Sequence, residues 1–175
     1  SGVGLGRESE GGSRTGARTV RCHENGSVTG EMGQVQRNGT STVTVGGAAF
    51  TGLVVDVGNP QLACVTEVAV DQVDLTVPPG HDPATFPHGV NVEFINVLSA
   101  GYLRMRVHER GVGETRSCGT GTVAARAAAL ASQDQAIGEA DVQLPGGRLH
   151  VEITGDGRRR TGTAVLAGRG VGAVL

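Results

Sequence analysis

The sequence predicts an α+β fold: a curled, mostly antiparallel sheet wrapped around one central helix. Three observations carry this expectation. Glycine supplies 30 of 175 residues, well above the usual share of about 7%, and these glycines separate valine-rich runs as turns separate short strands. Asn-Gly, Gly-Gly and Pro-Gly pairs recur between those runs, the signature of hairpins. Only Val123 to Ala131 forms a long run of helix-favouring residues free of glycine and proline.

In chain order, Ser1 to Gly16 hold six glycines without apolar periodicity and read as a flexible leader, with the domain proper over residues 17–175. A first hairpin runs from Arg18 through Asn25-Gly26 to Met32, with Cys22 in its first strand. A second runs from Ser41 through Gly46-Gly47 to Val57, and Leu53-Val54-Val55-Asp56-Val57 has the apolar character of a strand covered on both faces. Gly58-Asn59-Pro60 breaks that strand, and Leu62-Ala63-Cys64-Val65 resumes it. Asn59 is thus either a turn residue or a side chain facing a cleft.

The proline-rich segment Pro78 to Gly89 excludes helix and central strand, leaving His81 and His88 as loop residues. Val90 to Ile95 and Tyr102 to Glu109 follow as neighbouring strands. In the second, Leu103, Met105, Val107 and Glu109 share one face, opposite Tyr102, Arg104, Arg106 and His108. A third hairpin turns at Pro145-Gly146-Gly147, and a last strand lies near Ala164 to Ala167. The sum is about ten short strands and one helix.

Composition narrows the function. The formal charge is −2, and all fifteen cationic residues are arginine, so nothing marks a nucleic-acid or anionic-membrane partner and no lysine is present to form a Schiff base. One Tyr, three Phe and no Trp leave few rings to stack on bases. Three cysteines, Cys22, Cys64 and Cys118, lack CxxC spacing and cannot all pair, which argues for a reducing, cytoplasmic setting without a zinc site. No apolar run reaches membrane-span length. The first residue is Ser1, which fits a processed or excised fragment.

The stretch His108 to Thr122 organises the rest. It places Cys118 after a glycine-punctuated loop and at the start of the helix, where free N–H groups favour a thiolate or a bound carboxylate and depress a thiol pKa. The alternative is a small buried apolar cysteine. Gly119-Thr120-Gly121-Thr122-Val123-Ala124 matches the spacing of a dinucleotide fingerprint, yet no apolar strand precedes it directly and no second helix completes the repeat. A phosphate loop is excluded, because no Gly-Lys-Ser/Thr is present.

Five segments together resemble the second half of the diaminopimelate epimerase family, within the proline racemase-like superfamily. They are Glu109-Arg110-Gly111-Val112-Gly113-Glu114-Thr115, Ser117-Cys118-Gly119-Thr120-Gly121, Gly58-Asn59-Pro60, Gly89-Val90-Asn91-Val92-Glu93-Phe94 and Leu144-Pro145-Gly146-Gly147-Arg148-Leu149. The resemblance implies one of two similar domains with the active site between them. It also implies cofactor-independent, metal-free interconversion of LL- and meso-diaminopimelate for lysine and peptidoglycan synthesis, by two acid-base cysteines. Cys118 would be one of them. Gly119 and Thr120 would hold the α-carboxylate through backbone N–H groups. Asn59, Asn91 and Arg110 would bind the distal end of the substrate, and Glu109 would meet the reacting amine and tune the thiol pKa.

Two departures qualify that expectation. The family's other cysteine belongs to an N-terminal domain absent here, and neither Cys22 nor Cys64 has its glycine-asparagine-glycine context, so the chain alone should not epimerise. Gln61 stands where the family usually has histidine, which removes a titratable partner. The alternatives are a non-catalytic or truncated relative that binds a small amino acid, or a proline- or hydroxyproline-racemase-like enzyme. A homodimer is compatible with the resemblance.

Overall fold

A computed structural model of the chain describes residues 7–13, 16–23, 27–155 and 161–169. Its strands, in order, are β1 (Arg7–Ser13), β2 (Gly16–Cys22), β3 (Ser27–Val45), β4 (Ala48–Asp56), β5 (Pro60–Val65), β6 (Gly80–His81), β7 (Asn91–Ser99), β8 (Tyr102–Glu109) and β9 (Gly113–Thr115). The helix α1 (Gly119–Ser132) and strands β10 (Gly138–Leu144), β11 (Gly147–Thr154) and β12 (Thr161–Arg169) complete the described elements. A short 3-10 turn covers Val70–Gln72.

The three expected hairpins form as β2–β3, β3–β4 and β10–β11. In the second, Gly46 and Gly47 have φ of 56° and 83°, the paired positive angles of a type I′ turn. The Asn25-Gly26 turn of the first lies outside the described residues. Within the segment expected to be leader, Arg7–Ser13 pair antiparallel with β2; the rest of that expectation, 1–6 and 14–15, also lies outside them.

The expectation of a curled, mostly antiparallel sheet changes in two respects. Strands run β3–β12–β11–β10–β8–β7–β5–β4, and β3 pairs with β4, so the sheet closes into a barrel. Closure removes the unpaired edges that an open sheet would expose. Two ladders are parallel, β5–β7 and β8–β10. Each needs a crossover: residues 66–90 make the first, and the path through β9 and α1 makes the second.

The helix contacts β3, β4, β5, β7, β8, β10, β11 and β12, and its residues from Val123 to Leu130 are all buried. The alanines let the strands approach closely, and a core of aliphatic side chains from Met32 and Val35 through Leu103, Met105, Val107, Leu149, Val151 and Leu166 fills the remaining space. A second cluster on the outer face joins Val43, Leu62, Cys64, Val92 and Phe94 to Val70, Val73, Leu75 and Phe86 of the crossover. Strands β5 and β7 are therefore covered on both faces, as their continuous apolar runs require.

Gly52 shows how tight that double packing is. A Cβ there would lie 2.7 Å from Cys64 Sγ and 2.8 Å from the Ala63 carbonyl oxygen. Gly52→Ala is expected to destabilise the chain by about 1–3 kcal/mol, because the strand backbone has nowhere to move. Urea unfolding of the two proteins checks this.

Candidate functional site

One end of the barrel gathers the start of β5, the start of β7, the end of β8 and the start of α1. The parallel register sets Gln61 beside Asn91 and Ala63 beside Glu93. The antiparallel β7–β8 register sets Val92 beside His108 and Glu93 beside Val107. Alternation then points Gln61, Asn91, Glu93 and Glu109 to the helix side.

Cys118 is the N-cap of α1, with extended backbone at φ −153° and ψ 114°. Its Sγ accepts the Gly121 N–H at 3.3 Å, and its carbonyl accepts Thr122 N–H and the Thr122 hydroxyl at 3.0 and 2.8 Å. Gly119 and Thr120 occupy the open first turn, where N–H groups lack intrahelical acceptors. The expected helix start is therefore in place, and Cys118 caps it through sulfur.

The loop that delivers Cys118 is fixed from two sides. Strand β9 pairs back onto β8, and the Arg106 guanidinium donates to both oxygens of Glu114 at 2.7 and 2.9 Å. Gly146, in the third hairpin's turn, donates its N–H to Arg116 O at 2.8 Å. A Cβ on Gly146 would sit 2.9 Å from that oxygen, which explains the glycine there.

The three proposed distal-end residues lie at the strand ends. Asn91, only 5% exposed, accepts the Arg110 backbone N–H on Oδ1 at 2.9 Å and so fixes the turn after Glu109. The exposed Arg110 side chain donates to His88 O at 3.4 Å and packs over Gly89. Asn59 is half-buried, and its Oδ1 is enclosed without a partner.

Gln61 still reaches the cysteine. It is fully buried and donates from Nε2 to Thr120 Oγ1 at 3.1 Å; that hydroxyl lies 3.5 Å from Cys118 Sγ. The Thr120 hydroxyl accepts from Gln61, leaving its own hydrogen free to point at sulfur. This side-chain role of Thr120 was hidden in the sequence, where only its backbone N–H was at issue.

The expected depression of the thiol pKa does not occur. Burial pushes Cys118 up to about 12, the negative charge of Glu93 adds to the rise, the Thr120 hydroxyl opposes it, and Glu109 (raising) and the Gly121 N–H (lowering) contribute less. Cys118 as a residue is only 7% exposed and packs with the core, and desolvation outweighs the helix terminus. Cys64 is pushed up to about 12 as well, by burial and then by Glu93. Both are free thiols.

Glu93 is the residue that sequence reasoning passed over. It is fully buried, both carboxyl oxygens lack hydrogen-bond partners, and burial followed by the charge of Glu109 drives its pKa well above the usual carboxylate range. The available signal was a carboxylate on the same strand face as Asn91, set among Val92, Phe94 and Ile95. Among the described residues, no group of three or more His, Cys, Asp or Glu is placed to hold a metal ion.

The buried thiols make a pH prediction. Below the ordinary thiol value of 9.0 they are protonated in folded and unfolded chain alike; above it the unfolded chain releases protons that the folded chain retains to about 12. Stability is expected to fall steadily across that interval. Urea unfolding at several alkaline pH values should show the decline, with a flatter slope in Cys64→Ala.

The fold has relatives of low sequence identity. A hydroxyproline epimerase from Agrobacterium vitis matches 97% of this chain and 58% of its own at TM-score 0.64 and 17% identity. A predicted epimerase from Pseudomonas aeruginosa matches 94% of this chain and 64% of its own at TM-score 0.65 and 15% identity. Sequence relatives are far nearer. Diaminopimelate epimerase of Rhodococcus jostii is 48% identical over 167 residues, covering 91% of this chain and 58% of that protein. The Mycobacterium sp. (strain KMS) enzyme of the same name is 51% identical over 154 residues, covering 82% of this chain and 53% of its own length. The chain thus spans somewhat over half the length of these curated relatives. The diaminopimelate epimerase profile matches residues 53–169, from within β4 through β12 and across the whole Cys118 site, and on that match the chain belongs to the diaminopimelate epimerase family.

Proposed function

We propose that residues 17–175 form the C-terminal, epimerase-like half of a diaminopimelate epimerase, one of two matching domains, with Cys118 as one of two acid-base groups. The observation that carries this reading is Cys118 capping α1 at the barrel end where Asn59, Asn91, Glu109 and Arg110 also lie. The substrate's α-carboxylate takes the N–H groups of Gly119 and Thr120. The ammonium meets Glu109, and Arg110 with the two asparagines holds the distal amino-acid end.

In one direction a base on the opposite face removes the α-proton, and Cys118 S–H delivers its own proton to carbon. In the other, the Cys118 thiolate takes the proton, the C–H bond breaks and an S–H bond forms. The electron pair left on carbon spreads into the carboxylate, whose charge the helix start stabilises. A thiol held protonated by burial makes Cys118 the proton donor of the resting state. The second group comes from outside these residues, so this chain alone should not turn over. Free thiols suit a reducing, cytoplasmic setting, with a homodimer as the assembly the resemblance admits.

A binding-only relative is the second reading, favoured by Gln61 at the histidine position and by the raised thiol. The two separate on mixing this chain with the N-terminal half of a curated relative and following LL- to meso-diaminopimelate by chiral chromatography. Conversion that requires Cys118 supports the epimerase; none supports the binding-only protein.

A further inference from the structure

We propose that Glu93 is a positioning residue for Cys118: an uncharged carboxylic acid beneath the first turn of α1 whose O–H swings to the sulfur when that sulfur becomes negative. The geometry is compact. A Cβ on Gly121 would lie 3.0 Å from Glu93 Oε1 and 3.2 Å from Cys118 Sγ, so carboxyl and sulfur press on the same point of the helix, and the missing side chain leaves the space between them open. Neither Glu93 oxygen has a hydrogen-bond partner, and neither reaches solvent.

The charges facing Glu93 settle its state. Glu109 approaches from β8 and disfavours ionisation. The thiols of Cys118 on α1 and Cys64 on β5 are both close enough to feel its charge. Its own backbone N–H favours the carboxylate slightly without meeting hydrogen-bond geometry, and among the described residues no cation acts on it. A carboxylate enclosed without donors or a counter-ion costs far more than a neutral acid there.

A neutral acid holds one O–H with nothing to donate to. When Cys118 gives its proton to carbon, the thiolate becomes the strongest acceptor within reach, and the Glu93 O–H turns to the sulfur and donates to it. Gln61 through Thr120 on one side and Glu93 on the other then support the thiolate. The charge of Glu93 raises the thiol only while Glu93 is ionised; protonated, it acts in the opposite sense.

This inference rests on Cys118 as an acid-base group, but its test needs no turnover and so fails or succeeds apart from the proposed activity. Infrared spectra of the whole chain at neutral pH should show a protonated-carboxyl C=O band that Glu93→Gln removes. Replacing Cys118 by alanine should shift the frequency of that band, because the sulfur is the group the carboxyl adjoins. Alkylation of Cys118 by iodoacetamide, read on its peptide by mass spectrometry, gives the thiolate fraction. Glu93→Gln, which keeps an N–H donor, should react within about twofold of the unmutated chain, and Glu93→Met should react about tenfold more slowly near pH 8, a shift of one pKa unit. Absence of the band, a band indifferent to Cys118, faster alkylation in Glu93→Gln, or unchanged alkylation in Glu93→Met would each overturn the proposal. The infrared result decides by itself if Glu93→Met does not fold.

Discussion

Cys118→Ala in the reconstituted protein is expected to lower LL- to meso-diaminopimelate conversion by about 10³-fold or more, the scale of an acid-base group that no neighbour replaces. Thr120 sits beside the sulfur, but a hydroxyl is a far weaker acid than a thiol and cannot take over. The fold should survive. The alanine loses the Gly121 N–H contact to sulfur, a cap worth about 1 kcal/mol, while α1 keeps its buried face and its strand contacts. A urea midpoint near the unmutated value beside a dead enzyme is the expected pair of results.

Arg110→Ala should cost about 10²-fold in kcat/KM for diaminopimelate, because a charge-assisted contact to the distal carboxylate is worth roughly 1.5–3 kcal/mol. The turn itself should hold, since Asn91 grips the Arg110 backbone and not its side chain. Proline has no distal carboxylate, so any activity on proline should be indifferent to the substitution. Steady-state kinetics on both amino acids separates a diaminopimelate site from a proline-racemase-like one.

What was legible in the sequence was local. The start of α1, the type I′ turn at Gly46-Gly47 and the alternation of β8 are fixed by neighbours a few residues apart, and each stands where the residues place it. Barrel closure through β3–β4 and the β12–β3 ladder depends on the full ring of pairings, and the β5–β7 ladder joins strands across the whole 66–90 crossover. The continuous apolar runs of β5 and β7 mark strands covered on both faces, but they do not say which strand lies beside which.

The site divides along the same line. The position of Cys118 followed from glycines, alanines and helix-terminus physics. Its electrostatics did not, because desolvation depends on what the rest of the fold lays over the sulfur, and here that covering outweighs the helix terminus. Glu93 was unreadable for the same reason: a carboxylate two residues beyond Asn91 becomes unusual only when both its oxygens are seen to be buried without partners, one of them against Gly121. Gln61, which the sequence presents as a loss, keeps contact with the cysteine through the Thr120 hydroxyl.

Solvent deuterium entering the α-carbon of diaminopimelate tests the central claim most directly. It is followed by proton NMR in this chain joined to the N-terminal half of a relative, with and without Cys118→Ala. Deuterium carried into the inverted isomer in the first case and no inverted isomer in the second is the predicted result; inversion that continues without the Cys118 thiol, or no inversion with it, would contradict the assignment of Cys118 as the acid-base group of this half.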